Sequence, residues 1–171
     1  DREGSEDSKR VILIPRPGSD SRILLLDRAP PRGHDDHLPF SMLNRILGGM
    51  FSSKVNMILR EEYGNTYGVH GVYDAHSEDG EIEIVLNLAS KNVGLALRTI
   101  VEQMTRLHDD GPTEEELEMA RALELGRLYE SIDGSHDTSE TLAELFTSGL
   151  EPSHLEKQHS APCFPVDWKQ L

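Results

Sequence analysis

The chain has 171 residues, enough for one domain with a real core, and its 36% hydrophobic content is low but within the globular range. A formal net charge of −14 argues against nucleic acid or an anionic membrane surface as the main partner. No apolar run approaches the ~18 residues of a membrane span, and Cys163 is a lone cysteine, which excludes an internal disulfide and a Cys-rich metal site.

Residues 1–9, DREGSEDSK, read as a disordered lead-in, and residues 10–168 as a single domain. No signal peptide is visible. The chain starts at Asp1 rather than methionine, which fits an excerpt of a longer protein, so the compartment stays open. VILIP (11–15) is a short apolar run predicted as a strand and closed by Pro15; RPGSD then supplies turn chemistry. RILLLD (22–27) is a second predicted strand. APPRGHDDHLP (29–39) is a loop, with three prolines, a glycine and no periodicity. A helix is predicted over about 38–47, where Met42 with Ile46 and Leu43 with Leu47 share a face. Gly48 and Gly49 then permit a sharp turn.

Ser52 and Ser53 are suitable N-caps for a second helix, which presents Val55, Ile58 and Leu59 on one face, ends near Glu62 and is stopped at Gly64. YGVHGVYDA (67–75) and EIEIVLNLA (81–89) flank a turn-like SEDG and predict an antiparallel hairpin. In the second strand Ile82, Ile84, Leu86 and Leu88 alternate with a mostly polar set, as on a sheet with one buried face. A helix over about 92–108 is predicted to bury Val93, Ala96, Leu97, Ile100, Val101, Met104 and Leu107. Thr113 and Glu116 form a capping box for the next helix, which reaches about Tyr129. DGSHD (133–137) breaks it, TSETLAELFTSGL (138–150) forms a further helix, and PSHLEKQHS suits one more. Strands and helices are segregated. That order predicts an α+β fold, an antiparallel sheet with helices packed on one face.

Few residues carry obvious chemistry. His34-Asp35-Asp36-His37 sits in a Pro/Gly loop without a third ligand and reads as a solvated polar loop. Neither H-E-x-x-H nor H-x-x-E-H occurs, so a self-contained zinc hydrolase site is not expected. Cys163 lies in a Pro-rich tail and reads as incidental. LGGMFSSK lacks the phosphate-loop spacing. The acidic run Glu114–Glu118 reads as a solvated, well-capped helix start. Arg60 and Tyr67 remain. A helix end and a strand start joined by a glycine turn can bring both tips to one side. There the guanidinium fork and the phenolic O–H could bind a peptide carbonyl or the oxyanion formed from it. The plainer reading is an arginine favoured by a helix C-terminus and a tyrosine opening a strand.

Three stretches, in order, carry a resemblance: PRPGSDS (15–21), LGGMFSSK followed by LREEYGNTYGV (47–69), and GPTEEELEMAR (111–121). Together they closely resemble the C-terminal homologous domain of the M16 zinc metallopeptidases, the pitrilysin, insulysin and mitochondrial-processing-peptidase group. The resemblance covers residues 8–168. It implies paired homologous α+β domains that close like a clamshell on a peptide. One domain carries an inverted H-x-x-E-H zinc site; the other carries an R-x6-Y pair, which Arg60 and Tyr67 match. By this resemblance Arg60 and Tyr67 are substrate-binding residues that hold the scissile carbonyl near a zinc supplied by a partner domain, in the same polypeptide or a separate subunit. The chain alone is expected to hold no metal and hydrolyse nothing, and it could pair with a second copy of itself through an apolar or mixed inner surface. Ser21 stands where the family usually has Gln and is assigned no role. The alternatives are a non-catalytic structural or assembly subunit of the same fold and, unrelated, a small acidic binding module.

Overall fold

The computed structural model of the protein describes residues 11–62 and 66–160, the side chains of residues 61, 62, 66, 67 and 157–160 excepted. The predicted lead-in, the helix stop at Gly64 and the tail with Cys163 lie outside the described residues. Three strands, β1 (Asp20–Ala29), β2 (Thr66–Ala75) and β3 (Gly80–Ala89), form an antiparallel sheet in the order β1-β3-β2. The helices are α1 (His37–Asn44), α2 (Lys54–Met57), α3 (Val93–Asp110), α4 (Glu114–Glu130), α5 (Ser135–Thr147) and α6 (Ser153–Ser160). The fold is α+β, with helices packed on one face of the sheet.

Alternation in the strands decides that face. Ile84, Leu86 and Leu88 of β3 and Val69 of β2 are buried in one cluster with Ile46, Val55, Leu59, Ala96 and Ile100 from the helical layer, and Ile23 and Leu25 of β1 pack against it. Fully burying each Val, Leu or Ile of this cluster stabilises by roughly 1.5–3 kcal/mol before chain entropy is counted. On the opposite face Leu24, Leu26 and Val72 are exposed, and Leu26 and Val72 both stand opposite Glu83 in the register. That face is therefore mixed, apolar and charged.

The first predicted strand is not one. Residues 11–16 have no regular structure, and Val11, Ile12, Leu13 and Ile14 are 69–93% exposed. Among the described residues no neighbouring strand pairs with them, and apolar, β-branched composition without a ladder partner does not make a strand. α3 also buries less than its periodicity predicts. Val101 and Met104 are exposed while Thr99 is buried, because the apolar stripe is wider than the sheet contact and the helix rotates to favour Ala96, Ile100 and Leu107.

The glycine pair does something other than turn the chain. α1 widens into a π-helical turn over Arg45–Gly49, and Gly48 and Gly49 stay in it. A Cβ on Gly48 would come 3.2 Å from Val69, one on Gly49 3.3 Å from the Gly71 carbonyl, and one on Gly71 3.0 Å from the Gly49 nitrogen. Helix backbone and strand backbone thus meet directly, through three residues without side chains. Arg45, at the start of this turn, donates from Nε to Glu124 at 2.7 Å, and Ser41 donates to the same oxygen at 2.9 Å, tying α1 to α4.

The capping box forms as the spacing predicts. Thr113 accepts from the Glu116 N–H, and Glu116 accepts from the Thr113 N–H at 2.8 Å. Glu116 is not solvated, however. It is 5% exposed and also receives Arg106 Nη2 at 2.8 Å, so the cap doubles as the joint between α3 and α4.

Candidate functional site

Arg60 lies in a second π-helical turn, Ile58–Glu62, that extends α2. Ser53 opens α2 as its N-cap, accepting from the Asn56 N–H at 3.3 Å. Val55 and Leu59 are buried at 1% each and fix the helix against the sheet, which leaves Arg60 half-buried at the rim. Its guanidinium carbon stands 3.9 Å from the centroid of the Phe51 ring. Phe51 is 77% exposed, so an aromatic face and a guanidinium fork are presented together at the surface.

Tyr67 is the second residue of β2; its side chain lies outside the described residues. The backbone around it is irregular. Thr66 stands opposite Leu88 and Val69 opposite Leu86, so Tyr67 and Gly68 together face the single residue Asn87. This is a β-bulge, which bends a strand and re-aims its side chains. Gly68 has φ +123°, a region that glycine favours.

Asn56 joins the two elements. It is 4% exposed, its Oδ1 accepts from the Val69 N–H at 2.6 Å, and its Nδ2 donates to the Val69 and Met50 carbonyls, both at 2.9 Å. Sequence reasoning passed over Asn56. A polar residue on the apolar face of a predicted helix was the available signal, since buried amides need partners.

The two loop histidines diverge. His34 is exposed and contacts Asp36 at 3.4 Å. His37 is not part of a solvated loop; it opens α1 and packs on Tyr73 with ring centroids 5.3 Å apart. Tyr73 donates to the Pro30 carbonyl at 2.6 Å, so its oxygen accepts from His37 Nδ1 at 2.9 Å. Burial above all, then the charges of Arg32 and His154, pushes the His37 imidazole down to about 4, against an opposing pull from Glu124. Burial also pushes the Tyr73 phenol well up, against a lowering influence from Arg32. This neutral, hydrogen-bonded pair pins the loop after β1 onto β2.

Among the described residues no group of three or more His, Cys, Asp or Glu side chains could hold a metal ion. No described helix is long and apolar enough to cross a membrane. A cavity of about 520 Å³ lies between the sheet and helices α1 and α3, with Phe40, Leu43, Ile82 and Met104 in its wall. Arg60 is not among the residues that line it.

The family model of the Peptidase M16 inactive domain matches residues 2–124. The chain belongs to this M16 inactive-domain family. The M16 chain is 27% identical over 143 residues to the uncharacterized zinc protease Rv2782c of Mycobacterium tuberculosis, covering 84% of this chain and 32% of that protein. It thus spans about a third of the length of the curated relatives it matches first. Among solved structures it resembles the peptidase M16 inactive domain from Pseudomonas fluorescens, with a TM-score of 0.77 and 25% identity over 90% of this chain and 37% of that one. An inactive peptidase domain from Bordetella parapertussis shares the fold, with a TM-score of 0.75 and 19% identity over 93% of this chain and 87% of that one.

Proposed function

We propose that this M16 domain, residues 10–168, is the C-terminal, substrate-binding half of a zinc metalloendopeptidase. It would act with a homologous domain bearing an H-x-x-E-H site, in the same polypeptide or as a separate subunit. Zinc in that partner would polarise the scissile carbonyl and generate the attacking hydroxide from water.

This chain's own part is orientation and charge. Arg60 brings a fixed fork of donors to the rim, with one face steadied by Phe51. Tyr67, seven residues on, opens β2 at a bulge. A guanidinium and a phenolic O–H aimed at one oxygen hold a peptide carbonyl, and hold it more strongly as it becomes an oxyanion. The observation that carries this reading is the Asn56 bridge, which ties the helix of Arg60 to the strand of Tyr67. The mixed outer sheet face, with Leu24, Leu26 and Val72 exposed, fits a surface that meets another domain or a second copy of this chain.

The test is hydrolysis of a quenched fluorogenic peptide by the domain alone, by the zinc-bearing domain alone and by the two together. Activity only in the combination supports the reading. Equal activity of the zinc domain with or without this chain, or none in any sample, favours a structural or assembly subunit.

A further inference from the structure

We propose that Asn56 is a positioning residue for the Arg60–Tyr67 pair, an inference that rests on the substrate-binding reading above. Both Nδ2 protons and one Oδ1 lone pair of its side-chain amide are taken up, and each goes to backbone. Oδ1 with Val69 N–H, and Nδ2 with Val69 C=O, reproduce the two-bond pairing that a neighbouring strand would give Val69. The second Nδ2 proton goes to the Met50 carbonyl, one residue before Phe51.

One buried side chain therefore joins three parts of the site. Met50 carries the loop that presents Phe51, α2 carries Arg60 four residues after Asn56, and β2 carries Tyr67 two residues before Val69. The join falls at the bulge. A Cβ on Gly68 would lie 3.3 Å from Asn56 Oδ1, so the irregular strand is seated against the amide. The two nearest side chains in shape fit the position less well. Aspartate would keep the acceptor for Val69 N–H but turn a second oxygen toward two carbonyls, and a longer glutamine would push the strand away.

A misplacement of about 1 Å can cost on the order of a hundredfold in rate. If Asn56 acts through Arg60 and Tyr67, its removal matters only while those two are present. A residue that merely supports folding would lower activity by the same factor in any background.

The experiment is a double-mutant cycle in the complete assembly, this chain together with its zinc-bearing domain. The readouts are kcat/KM on a quenched peptide and the affinity of the metal-stripped assembly for the same peptide by fluorescence anisotropy. Asn56→Ala is compared in the wild-type background and in the Arg60→Ala/Tyr67→Phe background. The proposal expects a loss of about tenfold or more in the first and about twofold or less in the second. Equal losses in both overturn it. If Arg60→Ala/Tyr67→Phe is itself without effect, the substrate-binding reading fails, a result distinct from additivity. Should Asn56→Ala not fold, Asn56→Ser, smaller and uncharged, is put through the same cycle with the same expectations. Failure of both variants to fold would make Asn56 a folding residue and overturn the proposal.

Discussion

The guanidinium carbon of Arg60 stands over the Phe51 ring, 3.9 Å from its centroid. Phe51 is otherwise open to water, so the contact does little to bury the ring. Its physical consequence is to narrow the orientations of an arginine that would otherwise sweep the rim. An exposed cation–π contact contributes about 0.5–1 kcal/mol. Phe51→Leu is expected to change the unfolding free energy by less than about 1 kcal/mol. It should nevertheless lower peptide affinity several-fold in the complete assembly. Equilibrium denaturation and anisotropy on the same samples check the two halves of this expectation.

Gly71 is the tightest point of the helix–strand contact. An added Cβ would meet Asn44 Oδ1 at 2.6 Å and the Gly49 nitrogen at 3.0 Å. The Gly49 nitrogen is helix backbone, and the Asn44 amide is buried, with its Nδ2 bonded to the Gly71 carbonyl at 3.3 Å. Gly71→Ala is expected to destabilise by about 1–3 kcal/mol, the usual cost of overpacking. Gly94→Ala, where a Cβ meets nothing within 4 Å, should be stabilising or neutral by comparison. Urea denaturation of the two variants in parallel measures the difference.

Glu116 serves the cap and the α3–α4 joint at once. Glu116→Ala removes one bond to Thr113 N–H and one to Arg106. Each charge-assisted bond contributes about 1.5–3 kcal/mol where it is sheltered, and Arg106 is about a quarter exposed, so a loss of about 2 kcal/mol is expected. Glu116→Gln should lose less, since an amide still accepts at the cap. Thermal denaturation of both variants, with wild type alongside, reads the order.

His37 gives the protein a pH dependence with a definite sign. Its ring stays neutral in the folded state down to about 4, whereas an unfolded histidine titrates near 6.5. The unfolded chain therefore binds a proton first. The contribution of His37 is complete above pH ~6.5 and declines as pH falls toward 4, by at most about 1.4 kcal/mol per pH unit. Carboxylates also begin to titrate near the bottom of that window, so the comparison is between wild type and His37→Gln. The difference in unfolding free energy between them should shrink steadily from pH 7 to pH 4.5, and a constant difference would contradict the burial of a neutral imidazole.

The hairpin, the capping box and α3 were legible in the sequence because local pattern alone sets them. Strict alternation in β3, a Thr three residues before a Glu and a long 3–4 periodic stripe need no partner elsewhere. The run Val11–Ile14 was misleading for the complementary reason: a strand is defined by what pairs with it. Gly48 and Gly49 suggested a turn, yet their role is contact with Gly71, more than twenty residues away, which no local rule reveals. His37 illustrates the same point. Its neighbours in sequence include a polar loop, but its ring packs on Tyr73, brought there by the fold. For the candidate site, the helix end and the strand start came from local signals. The bulge and the Asn56 bridge that relate them are tertiary.

The central claim is that Arg60 and Tyr67 act together on the substrate. The most direct measurement is kcat/KM of the complete zinc-containing assembly on a quenched peptide, for wild type, Arg60→Ala and Tyr67→Phe, with folding checked by circular dichroism. The account predicts a loss on the order of a hundredfold for each, about 2.7 kcal/mol of transition-state stabilisation. Folded variants with wild-type kcat/KM would contradict it and leave this M16 domain a scaffold for its partner.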